Sequence, residues 1–308
     1  MIRSFPKTVA LSSIQTPAPS VVALGCFDGI HTGHRRIIEK TVRIASLKGI
    51  SPVVFTFDAP PAEYLSGVST PILSDEEERL DIFRSYGISS VNIAYFPDLR
   101  EISAEDFIKE YLIGICRAEA VVFGFNFTFG KGRKGDPETL RTYFGANAVC
   151  VPAVTYLGEP VSSSRIRRLL SEGNVSEAAE MLERPYSMTL PVIKGRHDGT
   201  SLGFPTLNQI PPANRAVPCD SVYITAAELP DGRRVPAVSD VGTAPTLDRT
   251  GIRRIETHLL EGGCDLYGQN VKIEFLKRLR GEMKFPDRES LVRQITADAR
   301  TAIDYFSK

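Results

Sequence analysis

The sequence predicts two domains: an α/β domain with a parallel sheet covered by helices on both faces, then a small antiparallel sheet or barrel closed by one helix. The chain has 308 residues, which exceeds the roughly 100–200 residues of a typical domain. Up to Arg184, near-continuously apolar strand-like runs alternate with helix-like segments, as in parallel sheets. After Pro185, short apolar–polar alternations separated by Gly and Pro indicate antiparallel strands. We therefore expect domains at residues 1–184 and 185–308.

In the first domain, apolar runs mark the strands, and capping residues mark the helices between them. Ser74, with Glu77 three residues later, forms a capping-box pattern for a helix that Gly87 ends. Ser103 and the Asp136–Pro137 pair mark two further helix starts. The predicted strands cover residues 20–24, 51–57, 91–96 and 118–124, and further helices cover residues 34–49, 163–173 and 176–185.

In the second domain, strands are predicted within residues 189–195, 221–229, 253–261 and 271–279, with a Pro-Asp-Gly turn at residues 230–232. An amphipathic helix over residues 287–306 closes the chain. Its expected apolar stripe consists of Leu291, Val292, Ile295, Ala299, Ala302 and Ile303.

The composition is that of a globular protein with balanced charge. There are 37 basic and 37 acidic residues, which argues against broad nucleic-acid or membrane-surface binding. The cysteines are odd in number and lack CxxC spacing, so they read as free thiols in a reducing compartment. No apolar run approaches the roughly 18 residues of a membrane span, and no signal peptide is evident; we expect a cytoplasmic protein. The five cysteines are Cys26, Cys116, Cys150, Cys219 and Cys264.

The turn GCFDGIHTGH, residues 25–34, stands between a predicted strand and a predicted helix. Ligands of open parallel sheets bind beyond the carboxyl ends of the strands, and helix N-termini attract phosphates. His31 and His34 lie about one helical turn apart, so both rings can point at one spot. The turn therefore favours phosphate binding, with the start of a metal site and a purely structural glycine turn as alternatives.

The motif G-x-F-D-G-x-H-x-G-H resembles that of the bacterial bifunctional riboflavin kinase/FMN adenylyltransferase family, also called FAD synthetase, a relative of the HxGH nucleotidyltransferases. Further segments resemble the family in the same order along the chain: FGFNFTFGKGRKGD, VSSSRIRRLLSEGNVSEAAEMLERPY, GTSLGFPTLN, GTAPT, IETH and DLYGQNVKIEFLKRLRGEMKF. The resemblance implies a Rossmann-like nucleotidyltransferase domain followed by a β-barrel kinase domain. It also implies two ATP-dependent reactions with Mg²⁺: riboflavin to FMN in the second domain, and FMN to FAD in the first.

For adenylyl transfer, the resemblance implies that His31 and His34 contact the triphosphate and that the backbone of Gly25, Cys26 and Phe27 lies along the nucleotide. Asp28 and Asn126 would shape the site. The residues that precede and open a helix would hold the leaving pyrophosphate; a plain serine cap with a solvated arginine is the alternative. These residues are Ser162, Ser163, Ser164 and Arg165.

For the kinase step, the resemblance implies Glu256 as the base that takes the riboflavin hydroxyl proton, where an ordinary solvent-facing Glu is the alternative. Thr206 and Asn208 would hold Mg²⁺ and phosphate. Arg280 would lie near the flavin, unless it is a plain exposed arginine. The nucleotide-cradling loop would comprise Gly195, Gly199, Gly203 and Pro205.

The chain departs from the family pattern at several positions. Ala59 and Pro60 stand where Pro and His are common, which removes a ligand-side histidine. In the kinase half, the departures are Thr200 for Arg, Leu207 for Ala, Ser221 for Gly and Asp240 for Asn. The leading hypothesis is a bifunctional flavin-cofactor synthase, and the nearest alternative is an FMN adenylyltransferase with a weak or flavin-binding-only kinase domain. A non-catalytic flavin or nucleotide sensor and a nucleic-acid-binding barrel are the hypotheses from other classes.

Overall fold

The computed structural model describes residues 7–11, 19–195, 204–243, 253–261 and 266–307. Contacts divide the chain into two compact units, Met1–Ser163 and Ser164–Lys308. The predicted order of an α/β domain followed by a curled antiparallel sheet with a terminal helix is confirmed.

A six-stranded sheet forms the centre of the first unit, in the order β1-β4-β3-β2-β5-β6. Neighbouring strands are parallel, except that β1 runs antiparallel to β4. The predicted bounds of β2, β3 and β5 are confirmed, whereas β1 was missed because this short, mostly exposed strand has no apolar run. The strands are β1 (Lys7–Ala10), β2 (Ser20–Leu24), β3 (Ser51–Phe57), β4 (Ser90–Ala94), β5 (Ala118–Gly124) and β6 (Ala148–Val151).

Helices cover both faces of this sheet, because successive strand residues point to opposite sides. Val22 and Leu24 join the apolar cluster under the π-helical segment and α6, whereas Val21 and Ala23 join the cluster under α1 and α3. The helices are α1 (Thr32–Lys48), α2 (Pro61–Ser66), α3 (Glu76–Ser85), α4 (Phe96–Leu99), α5 (Ala104–Asp106) with its π-helical continuation (Phe107–Ile115), and α6 (Pro137–Phe144). A hairpin of β7 (Thr155–Tyr156) and β8 (Glu159–Pro160) follows.

The predicted cap of α3 is wrong by one residue. Asp75 is the N-cap, and it forms the capping box with Glu78 instead of the predicted Ser74 with Glu77. Ser74 is engaged elsewhere: its hydroxyl accepts a hydrogen bond from the Gly29 amide at 2.9 Å. The caps predicted at Ser103 and Asp136 are confirmed.

The second unit contains an antiparallel sheet in the order β10-β13-β12-β11-β14-β9. The sheet curls into a half-barrel whose ends meet through side-chain and main-chain hydrogen bonds. The Gln209 side chain donates to the Leu190 carbonyl at 2.6 Å and to the Val271 carbonyl at 2.9 Å, and the Ile193 amide donates to the Asn208 carbonyl at 2.8 Å. The strands are β9 (Tyr186–Pro191), β10 (Thr206–Gln209), β11 (Ser221–Glu228), β12 (Arg234–Thr243), β13 (Arg253–Leu259) and β14 (Asn270–Gly281).

Two helices precede the half-barrel, α7 (Ser163–Glu172) and α8 (Val175–Leu182), and α9 (Arg288–Phe306) ends the chain. The predicted stripe of α9 is wrong at Ile303, whose side chain is 49% exposed. Asp298 is buried on this helix instead, because it forms an ion pair with Arg280 at 2.9 Å.

No helix in the described ranges is long and apolar enough to cross a membrane. Four of the five cysteines, Cys26, Cys116, Cys150 and Cys219, are free thiols as expected. Cys264 lies outside the described residues.

Helix α8 packs on β14 and β9 through Val175, Ala178, Met181 and Leu182, which are all buried. A fragment that starts at residue 185 loses this helix, whereas one that starts at residue 164 keeps it. Burial of the three large apolar side chains, Val175, Met181 and Leu182, contributes roughly 1.5–3 kcal/mol each, so we expect residues 185–308 to be less stable than residues 164–308 by about 4.5–9 kcal/mol, or to remain unfolded. Urea denaturation followed by circular dichroism measures the difference. Equal stability of the two fragments would instead favour a folding boundary at residue 185.

Candidate active sites

The turn between β2 and α1 is strained and fixed from below. Phe27 and Ile30 have φ values of 53° and 42°, a region that bulky and β-branched residues rarely adopt. Both side chains are completely buried in the core of the sheet. Burying two such side chains contributes roughly 3–6 kcal/mol, which is enough to offset the roughly 1–3 kcal/mol of strain per residue.

Asp28 holds the back of the same turn. Its Oδ1 accepts hydrogen bonds from the amides of Leu73 at 2.8 Å and Ser74 at 3.2 Å, and its carbonyl accepts one from the Ser163 hydroxyl at 2.9 Å. Gly29, with φ of 78°, lies so close to this loop that a Cβ would come within 2.8 Å of the Leu73 side chain. A side chain at position 29 would therefore clash with Leu73, which explains why glycine packs at this position.

Arg79 of α3 holds the carboxyl ends of two central strands together. Its Nη1 donates to the carbonyls of Phe57 at 3.1 Å and Cys26 at 3.4 Å, and the residue is 6% exposed. These carbonyls end β3 and follow β2. The side chain therefore fixes two backbone segments that border the cavity described below.

His31 and His34 form one unit at the start of α1. Their rings stack with centroids 3.8 Å apart and planes 17° apart. Nδ1 of His31, the N-cap, accepts from the His34 amide at 3.4 Å, which leaves the proton of a neutral ring on Nε2. Burial of the ring, and secondarily the charge of His31, hold the pKa of His34 well below its ordinary value. His34 is therefore neutral at pH 7 and able to donate one hydrogen bond without carrying charge.

A cavity of about 520 Å³ lies beside these rings. It brings together seven of the predicted residues: Gly25, Cys26, His31, His34, Asn126, Ser162 and Ser163. Phe27 and Asp28 do not line it but support it from behind. Ser164 is exposed, and Arg165 forms an ion pair with Glu177 of α8 at 3.4 Å. Pro60, which replaces a common histidine, is buried as the N-cap of α2, and its neighbours Pro61 and Ala62 line the cavity instead.

The sequence reasoning missed the aromatic and cationic lining of this cavity. Arg100 and Arg133 line it, and among the described residues no Asp or Glu does. The alternating phenylalanines of GFNFTFG were the available signal, since a strand-like alternation after β5 places several rings on one side. The rings that line the cavity belong to Phe57, Phe96, Phe107, Phe125, Phe127 and Phe129.

In the half-barrel, strand register brings the predicted kinase residues into one row. Asn208 of β10 is directly opposite Glu256 of β13, and Glu256 is opposite Asp240 of β12. Val222 of β11 continues the row from Asp240 to Arg280 of β14. Directly opposite residues share a face with Cβ atoms about 4.5–5.5 Å apart, so Asn208, Glu256 and Asp240 are close neighbours.

Thr206 and Asn208 also lie on one face, and the amide nitrogen of Asn208 is 3.3 Å from the Thr206 hydroxyl. Gly195 packs against them: a Cβ there would come within 2.4 Å of the Asn208 amide. The Pro205 carbonyl is 3.0 Å from Nδ1 of His258. Gly199, Gly203 and Thr200 lie outside the described residues.

Asp240, which replaces a common Asn, adds a second carboxyl group beside Glu256. Asp240 is an exposed residue, but partial desolvation of its carboxyl group by the surrounding protein, and then repulsion from Glu282 and Glu256, raises its pKa to about 6. Arg280, predicted to lie near the flavin, donates from Nη2 to Asp298 of α9 at 2.9 Å and stands over the Phe285 ring. The described residues contain no group of three or more His, Cys, Asp or Glu side chains arranged to hold a metal ion.

Comparisons with known proteins cover both units. Residues 13–165 match the protein-family model of FAD synthetase, and residues 182–306 match that of riboflavin kinase. The bifunctional riboflavin kinase/FMN adenylyltransferase of Bacillus subtilis strain 168 is 35% identical over 297 residues, which cover 94% of this chain and 93% of that protein. The protein of that name from Escherichia coli K12 is 29% identical over 292 residues, 93% of this chain and 92% of that protein.

A solved structure has the same fold along nearly the whole chain. This crystal structure, described as a macrolide-efflux protein from Streptococcus pneumoniae, aligns with a TM-score of 0.85 at 30% identity. The alignment covers 95% of this chain and 96% of that chain. Both units therefore recur together in one known polypeptide.

The lowered pKa of His34 predicts a pH dependence of stability. Between the folded and unfolded pKa values, the unfolded chain binds more protons, so the free energy of unfolding falls as pH drops below about 6.5. We expect His34→Gln to remove part of this loss between pH 7.5 and 5.5, as measured by urea denaturation of the full-length chain. His258→Gln is the control, because His258 lies on the half-barrel. An identical pH dependence in wild type and His34→Gln would contradict the prediction.

Proposed function

This chain belongs to the family of bifunctional riboflavin kinases/FMN adenylyltransferases, and from that premise we propose which of its residues carry the two reactions. The enzyme phosphorylates riboflavin with ATP to FMN and transfers AMP from a second ATP to FMN, which yields FAD and pyrophosphate. The main observation behind the assignment of the adenylyl site is the pair of stacked histidines at the start of α1. They lie beside a cavity that is lined by aromatic rings and, among the described residues, by no Asp or Glu.

In the adenylyl step, an oxygen of the FMN phosphate attacks the α-phosphorus of ATP, and pyrophosphate leaves. No protein nucleophile is required, so catalysis consists of positioning and charge stabilisation. The amides at the N-terminus of α1 and the ring N–H groups of His31 and His34 face the triphosphate. Both rings are preorganised, because His31 caps the helix and His34 stacks on it.

The remaining predicted residues of this site have supporting roles. Gly25 and Cys26 border the nucleotide, and Asp28 and Arg79 hold the backbone around them. Asn126 faces the substrates from the loop after β5. Ser162 and Ser163, with Ser164 and Arg165 in the first turn of α7, are proposed to bind the leaving pyrophosphate, since the amides of a helix start suit an anion.

In the kinase step, Glu256 accepts the proton of the riboflavin hydroxyl as that oxygen attacks the γ-phosphorus of ATP. Thr206 and Asn208 fit a magnesium–phosphate site because they offer a hydroxyl and an amide oxygen on one face beside Glu256. When bound, Mg²⁺ offsets the phosphate charge. Gly195, Gly199, Gly203 and Pro205 are proposed to border the nucleotide, and Arg280 the flavin.

One observation favours the alternative of a weak kinase domain. Asp240 places a second carboxyl group beside Glu256, the proposed base, and the two groups repel each other. The two possibilities differ in their products. The enzyme incubated with riboflavin, ATP and Mg²⁺ should yield FMN and FAD, separable by chromatography, whereas a weak kinase half would yield FAD only from supplied FMN. We further propose a cytoplasmic location, on the strength of the free thiols.

The double substitution His31→Ala/His34→Ala tests the adenylyl assignment. Removal of charge-stabilising donors typically costs about 10²-fold or more in rate, so FAD formation from FMN should fall by at least that factor. Riboflavin phosphorylation by the same preparation is the internal control and should be retained. A folded double variant that still forms FAD at the wild-type rate would refute the assignment.

The raised pKa of Asp240 predicts how the rate of riboflavin phosphorylation falls at acidic pH. Its carboxyl group takes up a proton as pH falls through about 6, and its repulsion with the neighbouring Glu256 couples the titrations of the two groups. Riboflavin phosphorylation should therefore decline below pH 6. Asp240→Asn removes the repulsion and should move the acid limb down by about one pH unit, whereas Glu256→Gln should abolish phosphorylation and leave FAD formation intact. An unmoved acid limb in Asp240→Asn would show that the two carboxyl groups are not coupled.

A further inference from the structure

The adenylyl cavity has an uneven distribution of positive charge. Arg100 and Arg133 are, within the described part of the chain, the only lining side chains with a permanent charge. His34 stays neutral at pH 7 because burial lowers its pKa. The fixed positive charge that faces a bound substrate therefore comes from the two arginines.

The two arginines differ in their acidic neighbours. Nε of Arg100 lies 3.9 Å from the carboxylate of Glu101, which also pairs with Lys131 at 2.8 Å. Arg133, by contrast, has no ion pair with any described residue. The charge of Arg133 is thus the less neutralised of the two.

The exposed Arg133 side chain is hydrogen-bonded to its own loop. Its Nε donates to the Thr128 hydroxyl at 2.9 Å, and its amide donates to the Gly130 carbonyl at 2.9 Å. The loop is fixed by reciprocal hydrogen bonds between Phe129 and Gly135, and Phe129 is buried in the core. The two terminal guanidinium nitrogens remain available, an arrangement suited to two parallel hydrogen bonds to a phosphate.

The position of Arg133 indicates which phosphate it meets. The triphosphate of ATP is assigned to the start of α1, where helix amides and the histidines lie. Arg133 belongs to the loop after β5, whose Phe125 and Phe127 line the cavity and provide aromatic surface for a planar ring system. A flavin packed on this loop would carry its phosphate at the end of a polar chain that starts beside Arg133.

We propose that Arg133 binds the phosphate of FMN and thereby makes the adenylyl site bind FMN more tightly than flavins without a phosphate. This inference rests on the adenylyl site assigned above. It adds that the Arg133 side chain of that site recognises the phosphate group of the substrate FMN. A flavin without phosphate loses only this contact and keeps the aromatic packing. Hydrogen bonds to charged groups are worth about 10- to 100-fold in affinity.

The test is Arg133→Gln in the full-length enzyme, with KM values for FMN and ATP measured separately in FAD formation. We expect the KM for FMN to rise about 10- to 100-fold, with the KM for ATP and riboflavin phosphorylation unchanged. Arg133→Lys should recover part of the loss. Arg100→Gln is the matched control, and its effect should be smaller because Glu101 already offsets that charge.

Lumiflavin, which has the flavin ring but neither side chain nor phosphate, separates phosphate recognition from ring packing. Its inhibition constant against FMN should be the same in wild type and Arg133→Gln. A parallel rise in that constant, a rise confined to the KM for ATP, or no change in either KM would each overturn the proposal. Failure of the adenylyl assignment itself would be seen separately, as FAD formation that survives in His31→Ala/His34→Ala.

Discussion

The first unit depends on one constraint: the chain must turn from β2 into α1 through residues with positive φ, and this conformation needs outside support. The complete burial of the Phe27 and Ile30 side chains stabilises this conformation. Asp28 stabilises it as well, because its carboxylate accepts hydrogen bonds from the amides of Leu73 and Ser74. The consequences reach well beyond the turn. Ser74 binds this turn, and Asp75 caps helix α3 in its place. Gly29 packs against Leu73. His31 and His34 lie beside the cavity as a stacked pair.

In the half-barrel, the pairing register of the strands determines which residues of the proposed kinase site lie together. Residues that are far apart in sequence fall into one row because Asn208, Glu256 and Asp240 occupy matching positions of adjoining strands, and Val222 of β11 continues the row to Arg280 of β14. The opposite face of β11, β12 and β13 contains buried hydroxyls, and that of Ser239 lies 2.8 Å from Thr225 and 2.7 Å from Thr257. One face thus serves the core while the other carries the polar groups assigned to chemistry.

The sequence was informative where a local pattern has a single structural solution. Apolar runs gave the bounds of β2, β3 and β5, and the HxGH spacing placed both histidines on one cavity. Prediction failed where a distant residue decides the outcome. The cap of α3 moved because Gly29 binds Ser74, and Asp298 replaced Ile303 inside α9 because Arg280 pairs with it. The lining by Arg100 and Arg133 also depends on tertiary placement, which no spacing rule reveals.

Strand β10 lies where the two ends of the half-barrel sheet meet, and it is weakly held there. Among the described residues, strand β10 is paired along its length only with β13, and its other side is held by the Ile193 amide and by the side chain of Gln209. Local opening favours elements with few main-chain hydrogen bonds, so this strand can separate while β11, β12 and β14 stay paired. Thr206 and Asn208 stand on that strand. The proposed kinase site therefore includes residues of a weakly paired edge strand, and we expect amide exchange in β10 to report loss of that site before the rest of the sheet unfolds.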